Sequence, residues 1–202
     1  LLAGKLNIVA QDVPNLLKAV GQDASDIPLK SFIAATVISS TLDSMSLKTM
    51  KAKATLAGEQ IPNSPADVIL ETSVDINIAK ETLNMKSLTI KGMGLDVQGA
   101  MQGVHVIKDP KLNGQLKIAP FNIRKLMTQL KIELPVTADP KVLSQFAANT
   151  GFSVSKNSFA MKGLQLKLDE TNIKADLAVG SLRADLNAFK GLKHPFKILV
   201  EN

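Results

Sequence analysis

Hydrophobic and polar side chains alternate along several stretches of the chain. From Val68 to Ile78 every second residue is apolar apart from one threonine, and from Glu71 onward the residues between them are polar. Residues 112–118 and 173–179 show the same pattern. Successive side chains of a strand point to opposite faces, so each stretch predicts a strand with one apolar and one polar face. Such strands are typical of antiparallel sheets with one solvated side.

Only three short helices are predicted between the strands. Asp12 is suited to cap a helix that ends at about Val20, with a proline in its first turn and a glycine just beyond its end. Asn122 is suited to cap a second helix that ends at about Leu130. Asp139, followed by proline, is suited to open a third helix of about two turns. So little helix indicates a mainly β fold.

The chain also contains an internal repeat. Residues 2–8, Leu-Ala-Gly-Lys-Leu-Asn-Ile, match residues 112–118, Leu-Asn-Gly-Gln-Leu-Lys-Ile. After a loop that differs in length, residues 29–38 match residues 143–152, and both copies contain Phe-x-Ala-x-Thr-x-apolar. The repeat indicates a unit of strand, short helix, loop and further strands, of which the chain holds nearly two.

A shorter motif, apolar-Lys-x-apolar-x-apolar, occurs in residues 47–54, 85–90 and 161–168. In each copy the apolar phase slips by one residue between the first and fourth positions, which a regular strand does not allow. A β-bulge absorbs one extra residue and bends its strand. Three bulges at equivalent places predict a long, curled antiparallel sheet that forms an open groove, with the apolar face on its concave side.

The repeats divide the chain into three parts. We predict a first unit of the β-groove over residues 1–110, a second unit over residues 111–180, and a C-terminal segment without an assignment over residues 181–202. Repeat arrays that are cut between units expose the edges of their sheets. Self-association of the fragment through those edges is therefore one expectation.

Composition excludes several classes of site. The 202 residues are 45% hydrophobic and 21% charged, and they include no cysteine, two histidines and neither Trp nor Tyr. Disulfides, thiolate metal centres, cysteine nucleophiles and multi-histidine metal sites are thereby ruled out. A nucleic-acid partner is not expected, because base stacking relies on aromatic rings. We expect no metal and no cofactor.

The net charge of +6 is unevenly distributed. Residues 1–103 carry nine basic and ten acidic side chains, whereas residues 104–202 carry fifteen and eight. A basic half is consistent with an anionic partner, such as phospholipid headgroups or an acidic protein, and also with simple solvation by lysine.

Neither a membrane span nor a signal peptide is visible in the sequence. The longest uncharged stretches, Ser31–Leu42 and Val142–Ser155, are shorter than the roughly 18–20 residues that a spanning helix needs. The chain starts without methionine. We therefore expect a piece of a longer protein, with any targeting segment or anchor outside it.

No catalytic constellation stands out, and we expect a protein that is not an enzyme. Asp169 and Glu170 follow an apolar run, where a turn between strands explains them better than acid–base chemistry does. His105, between two valines, is interpreted as a solvated strand residue, and His194 as a loop residue.

Glycines and lysines near the short motifs have structural interpretations. The lysine of each motif is interpreted as an edge residue that opposes aggregation, with neutralisation of lipid phosphate at a groove rim as the alternative. Four glycines are flanked by strands instead of a capped helix, so we interpret them as bulge or turn glycines and not as a phosphate loop. They are Gly92, Gly94, Gly99 and Gly103.

Three longer motifs follow one another in the second unit. Residues 112–127 read Leu-Asn-Gly-Gln-Leu-Lys-Ile-Ala-Pro-Phe-Asn-Ile-Arg-Lys-Leu-Met, residues 134–143 read Leu-Pro-Val-Thr-Ala-Asp-Pro-Lys-Val-Leu, and residues 159–173 read Phe-Ala-Met-Lys-Gly-Leu-Gln-Leu-Lys-Leu-Asp-Glu-Thr-Asn-Ile. In order and spacing they resemble the recurrent segment of the AsmA family, a group of Gram-negative envelope proteins. The resemblance covers residues 112–179. The first unit is similar more loosely, since it lacks the Asp-Pro step.

The resemblance implies a periplasmic location, with an inner-membrane anchor outside this fragment. It also implies a relationship to bridge-like lipid-transfer proteins, whose sheets curl into grooves lined by apolar side chains. The implied role is outer-membrane biogenesis, through movement of phospholipid or another acyl lipid or through effects on outer-membrane protein assembly. Envelope assembly proteins are therefore alternative partners.

We nominate the apolar face of the sheet as the lipid-binding site, since aliphatic side chains shield acyl chains without fixing them. The alternatives are an ordinary core between two packed sheets, a scaffold that acts through exposed sheet edges, and a hydrolase built on Asp169, Glu170 and His105. The nominated residues are Val68, Leu70, Val74, Ile76, Leu116, Ile118, Leu164, Leu166, Leu168, Ile173 and Leu177.

Overall fold

The computed structural model consists of one large antiparallel sheet and two short helices. It describes residues 1–22, 27–59, 61, 63–130, 132–133 and 142–180, together with the backbone of 197–201. The mainly β fold class is confirmed. The elements in chain order are β1 (Leu2–Ala10), α1 (Val13–Ala19), β2 (Leu29–Ser40), β3 (Ser44–Leu56), β4 (Ala66–Asn77), β5 (Thr82–Gly92), β6 (Leu95–Val104), β7 (Lys111–Phe121), α2 (Ile123–Gln129), β8 (Phe146–Ser155), β9 (Ser158–Leu168), β10 (Thr171–Gly180) and β11 (Lys197–Glu201).

The strands lie in the sheet in the same order as in the chain. Each strand pairs antiparallel with the strand before it, so the topology is a simple meander. β1 and β11 lie at the two edges of the sheet and do not pair with each other. The sheet is therefore open, as predicted, and each described strand packs mainly against the strands directly beside it.

All three short motifs contain the predicted bulge. On β3, the three-residue step from Leu47 to Met50 spans only two residues of β4. The same shift occurs on β5 between Met85 and Leu88, opposite β6, and on β9 just after Lys162, opposite β8. Because a bulge bends its strand and increases the local twist, three of them near the middle of long strands curl the sheet.

A threonine on the neighbouring strand stabilises each bulge. Thr72 and Thr150 are the buried polar residues among those described, with 7% and 6% of their surface exposed. A hydrogen bond of this kind typically contributes about 0.5–1.5 kcal/mol, so these hydroxyls support the bend. The hydroxyls of Thr36 and Thr72 donate to the carbonyls of Lys48 (3.2 Å) and Ser87 (2.7 Å), whereas that of Thr150 lies 2.9 Å from the carbonyl of Gly151 and 3.5 Å from that of Lys162.

Both described helices have the predicted caps. The Asp12 carboxylate accepts a hydrogen bond from the backbone N–H of Asn15 at 3.0 Å, and the Asn122 side chain accepts one from Lys125 at 2.7 Å. The third helix, predicted at Asp139, lies outside the described residues. So do His194 and all but the last strand of the C-terminal segment.

The glycine prediction is half right. Gly92 and Gly94 flank the turn between β5 and β6, and Gly94 has a φ of +81°. Gly99 and Gly103 lie inside β6, where the prediction of bulge or turn glycines is wrong. A side chain at position 99 would meet the carbonyl of Gln115 at 2.9 Å, so the close approach of β7 explains this glycine.

Two further predictions need correction. His105 lies just after β6 with a φ of +54°, so it begins a turn and is not a strand residue, although its side chain is solvated as expected. The motif lysines occupy neither an edge nor a groove rim. They lie at the bulges in mid-sheet, and Lys86 pairs with Asp75 at 2.9 Å.

The order of elements repeats along the chain. The series β1, α1, β2, β3, β4 recurs as β7, α2, β8, β9, β10, so the fold contains two internal repeats. The division into units at residues 110 and 111 stays a prediction, because β6 and β7 pair continuously across it.

Candidate functional site

The candidate site is a continuous apolar face on one side of the sheet. Residues that pair directly in an antiparallel sheet point to the same face, so the register links side chains into rows that cross the strands. One such row crosses ten strands and contains apolar residues alone: Ile8, Ala34, Ala52, Leu70, Ile90, Val97, Ile118, Ala148, Leu166 and Ile173.

A second row on the same face lies on the other side of the bulges. It contains neither a polar nor a charged side chain, so apolar residues line the face on both sides of the bend, with Thr36, Thr72 and Thr150 between the two rows. Its members are Gly4, Ile38, Leu47, Val74, Met85, Met101, Gly114, Phe152, Met161 and Leu177. We call the face that carries these rows the apolar face, and the opposite side the polar face.

The register places all eleven nominated residues on the apolar face. Leu70, Ile118, Leu166 and Ile173 belong to the first row, and Leu164 lies beside it. Ten of the eleven side chains are partly exposed, whereas Leu164 is buried at 8% exposure. Their role in binding lipid stays a prediction.

Sequence reasoning missed the contributions of β1, β2, β3, β5, β6 and β8. Ala34 and Ala52 were missed because alanine gives a weak alternating signal, and Met85 because the bulge breaks the alternation at that point. The sequence nonetheless indicates that Met85 shares this face, because the phase slip in residues 85–90 shows where the alternation must be shifted by one residue.

The apolar face is open in the part of the chain that the structure describes. Only four apolar residues there are fully buried: Val13, Ala34, Ala52 and Leu164. No second sheet lies among the described residues, and α1 contacts only β2 to an appreciable extent. The alternative of a core between two packed sheets is therefore not found in this region.

The polar face has the opposite chemistry. Its lysines pair across strands with carboxylates, as in Lys51–Glu71 at 3.0 Å and Lys91–Asp96 at 3.2 Å. Hydrogen bonds from the Ser46 hydroxyl and from Lys86 lower the pKa of Asp75. The side chains of these ion pairs are exposed to water, so this face is a solvated surface. For the same reason each pair contributes only about 0–1 kcal/mol to stability.

Asp169 has a structural role in the turn between β9 and β10. Its carboxylate accepts hydrogen bonds from the N–H groups of Leu143 (2.6 Å), Ser144 (2.8 Å) and Gln145 (2.9 Å) and from the Ser144 hydroxyl (2.8 Å). The Ser144 hydroxyl and these backbone donors lower the pKa of Asp169. Asp169 therefore lies in the predicted turn, and its carboxylate also ties the segment before β8 to that turn, which the sequence interpretation did not predict.

Replacing Asp169 with asparagine is expected to accelerate amide hydrogen exchange at residues 143–145. The lowered pKa means that the carboxylate's contribution to stability is fully present above the ordinary aspartate pKa and is lost as the pH falls through the folded-state value. The protection of these three amides relative to an unfolded chain at the same pH should therefore fall in acid in the natural protein and already be low at neutral pH in the variant. Glu170→Gln is the matched control, and equal protection in both variants would contradict the assignment.

The structure does not bring together the residues of the hydrolase alternative. His105 follows β6 at one end of the strands, whereas Asp169 and Glu170 lie at the other end, between β9 and β10. Among the described residues, no group of three or more His, Asp or Glu side chains is arranged to hold a metal ion. Within the same residues, the two seven-residue helices are too short to cross a bilayer.

Comparisons of this chain with protein-family models, with curated proteins and with solved structures gave no match.

Proposed function

We propose that this chain is a non-enzymatic module that binds acyl lipid on the apolar face and shields it from water during transfer. The observation that carries the proposal is the pair of wholly apolar rows across ten strands, in a sheet on which no second sheet packs among the described residues. The AsmA resemblance suggests phospholipid as the cargo, the periplasm as the location and outer-membrane biogenesis as the process.

The energetics of transfer favour such a surface. Exposure of one acyl CH₂ to water costs about 0.8 kcal/mol, so a sixteen-carbon chain costs roughly 12 kcal/mol. An apolar surface that a lipid tail can follow removes most of this barrier without any bond chemistry. Ten strands spaced about 4.8 Å apart provide a track of roughly 45 Å.

The side chains of the face suit movement better than tight binding. Its two rows consist of aliphatic residues, methionine, glycine and one phenylalanine, Phe152. None of them offers a hydrogen bond or a charge that would hold a headgroup in place. Shallow, non-specific contacts let a lipid leave one position for the next, so we propose no lipid-specific residue on this face.

Photo-crosslinking at adjacent residues of β9 tests the proposal. A benzophenone amino acid at Leu166 is expected to label phospholipid, because position 166 points into the apolar face. The same probe at Gln165 is the control, since its side chain points to the polar face. Labelling is measured by mass spectrometry of the purified adducts, and the position-166 probe should exceed the control at least tenfold.

Further probes keep the result independent of one position. Ile118 and Leu70 lie in the same row on β7 and β4, and both should label lipid if the face is a track. Absence of lipid adducts at all three positions, with the protein folded, would eliminate the proposal.

A scaffold that acts through sheet edges is the second candidate, and the β1 edge favours it. Leu2 and Val9 are 67% and 60% exposed there, and β1 pairs with a strand on one side only. Strand addition at such an edge would recruit an envelope protein by backbone hydrogen bonds. A pull-down that returns a protein partner without lipid, abolished by Asn7→Pro on β1, would favour this candidate over the groove.

A further inference from the structure

Three turns at one end of the strands carry exposed aliphatic side chains. They are residues 41–43 between β2 and β3, 78–81 between β4 and β5, and 105–110 between β6 and β7; together we call them the turn rim. Leu42, Ile78 and Ile107 are exposed there by 97%, 49% and 60%. Turns normally place Gly, Asn, Asp or Ser at such positions, so a large aliphatic residue in each of three adjacent turns points to a contact. Leu42 in particular has almost no neighbours to shield it.

Hydrogen bonds between the turns hold the turn rim in shape. The N–H of Ile78 donates to the carbonyl of Asp43 at 2.7 Å, and the N–H of Val106 donates to the carbonyl of Glu81 at 3.1 Å. The Glu81 carboxylate also lies 3.9 Å from Nδ1 of His105. Adjacent turns at this end are separated by two strands, so neighbouring turns lie roughly 10 Å apart along the end of the sheet.

The charges at and beside the turn rim sum to zero. The rim itself carries Lys80 and Lys108 against Asp43, Glu81 and Asp109, and Lys111, the first residue of β7, supplies the third positive charge. Lys108 lies 3.9 Å from Glu81 and Lys111 lies 3.9 Å from Asp109. A rim without net charge has no long-range attraction for a strongly charged partner, so apolar contact must provide the affinity.

The turn rim is continuous with the apolar face. Ile76, at the end of β4, lies on that face two residues before Ile78, and it pairs directly with Leu83 on β5. An acyl chain that enters at the turns therefore meets aliphatic side chains all the way to the nominated residues. At the opposite ends of the strands the exposed apolar residues stand next to segments that the structure does not describe.

We infer that the turn rim inserts into the interfacial region of a phospholipid bilayer and so places the apolar face beside its source of lipid. The inference rests on the proposed function and adds the site at which lipid enters. Exposed aliphatic side chains at three adjacent turns fit the apolar layer of a bilayer, and balanced charges fit zwitterionic headgroups. Binding of the turn rim to a protein instead of a bilayer is one of the outcomes that the test distinguishes.

Sedimentation with phosphatidylcholine vesicles tests the inference. The 202-residue chain is expected to co-sediment, and raising the salt from about 0.1 M to 0.5 M should change binding less than twofold, because net charge plays no part. The double variant Leu42→Asp, Ile107→Asp should bind at least tenfold more weakly, since one buried aliphatic side chain is worth about tenfold or more in partitioning. Ile33→Asp is the control, as Ile33 is 48% exposed on the polar face, away from the turn rim.

Each outcome decides the question. Circular dichroism establishes that the variants are folded, and the exposure of Leu42 and Ile107 makes that the expected result. No binding of the natural chain, equal loss in the Ile33 control, or binding that needs a protein in place of vesicles would overturn the inference. Crosslinking of monomeric short-chain lipid at position 166 separates the two proposals, because it reports on the apolar face without a bilayer.

Discussion

We expect phospholipid to co-purify with the natural protein, and we expect the double variant Val97→Asp, Ile118→Asp to retain at most about a tenth of it while staying folded. The two residues pair directly across β6 and β7 in the middle of the first apolar row. Both are partly exposed, so on an open face the new carboxylates remain hydrated and the fold survives. A lipid tail at that point would have to dehydrate two charges, which costs several times the gain from its own burial. Lipid content is measured by mass spectrometry of extracts.

A matched pair on the polar face controls for the loss of stability. Gln102 and Asn113 also pair directly across β6 and β7, and both are exposed. Gln102→Asp with Asn113→Asp therefore introduces two like charges between the same strands but leaves the apolar face unchanged. We expect lipid content close to that of the natural protein. Equal lipid loss in both pairs, or unfolding of the first pair alone, would count against an open lipid-binding face.

Gly114→Val is expected to destabilise the protein by about 3 kcal/mol, at the upper end of the cost of overpacking. A Cβ at this position would lie 2.5 Å from the Phe152 ring and would clash with the carbonyl of Ala100. The ring could move, but the carbonyl belongs to the β6–β7 ladder and cannot. Urea unfolding followed by circular dichroism measures the change. A loss of this size is a large fraction of the 5–15 kcal/mol that typically stabilises a domain.

The internal repeat supplies the control for this substitution. Gly4 occupies the equivalent position in the first unit, but nothing lies within 4 Å of a Cβ built there. Gly4→Val should therefore leave stability unchanged or raise it by up to about 1 kcal/mol, because valine favours strands. Similar destabilisation by both substitutions would show that Phe152 and Ala100 do not determine the requirement for glycine.

Much of the fold could be predicted because its signals are local. The period of two in residues 68–78 corresponds to β4, and the phase slip after Lys48 corresponds to a bulge. His105 was placed wrongly because flanking valines imitate a strand, whereas hydrogen bonds within and between the turns determine its conformation. Gly99 was misinterpreted for a related reason, since the proximity of β7 is a tertiary property that no local pattern encodes.

The candidate site was less accessible to sequence reasoning than the fold. Alternation shows which side chains share a face. The alternating pattern of an open sheet, however, is the same as that of one sheet in a β-sandwich. The difference depends on whether another element covers Leu70 or Ile118, which is decided by the course of the whole chain. The turn at Asp169 was predicted correctly. The hydrogen bonds that its carboxylate accepts from residues 143–145 could not be predicted, because they join segments far apart in sequence.

The meander order of the strands has a consequence for folding. Because each strand pairs with the one made just before it, ordering can advance from strand to strand, and most of the connections to close are short. Loss of an outermost strand breaks a single interface and leaves the remainder intact. Partial unfolding should accordingly proceed as fraying inward from β1 or β11, with protection against amide exchange greatest in the strands between them.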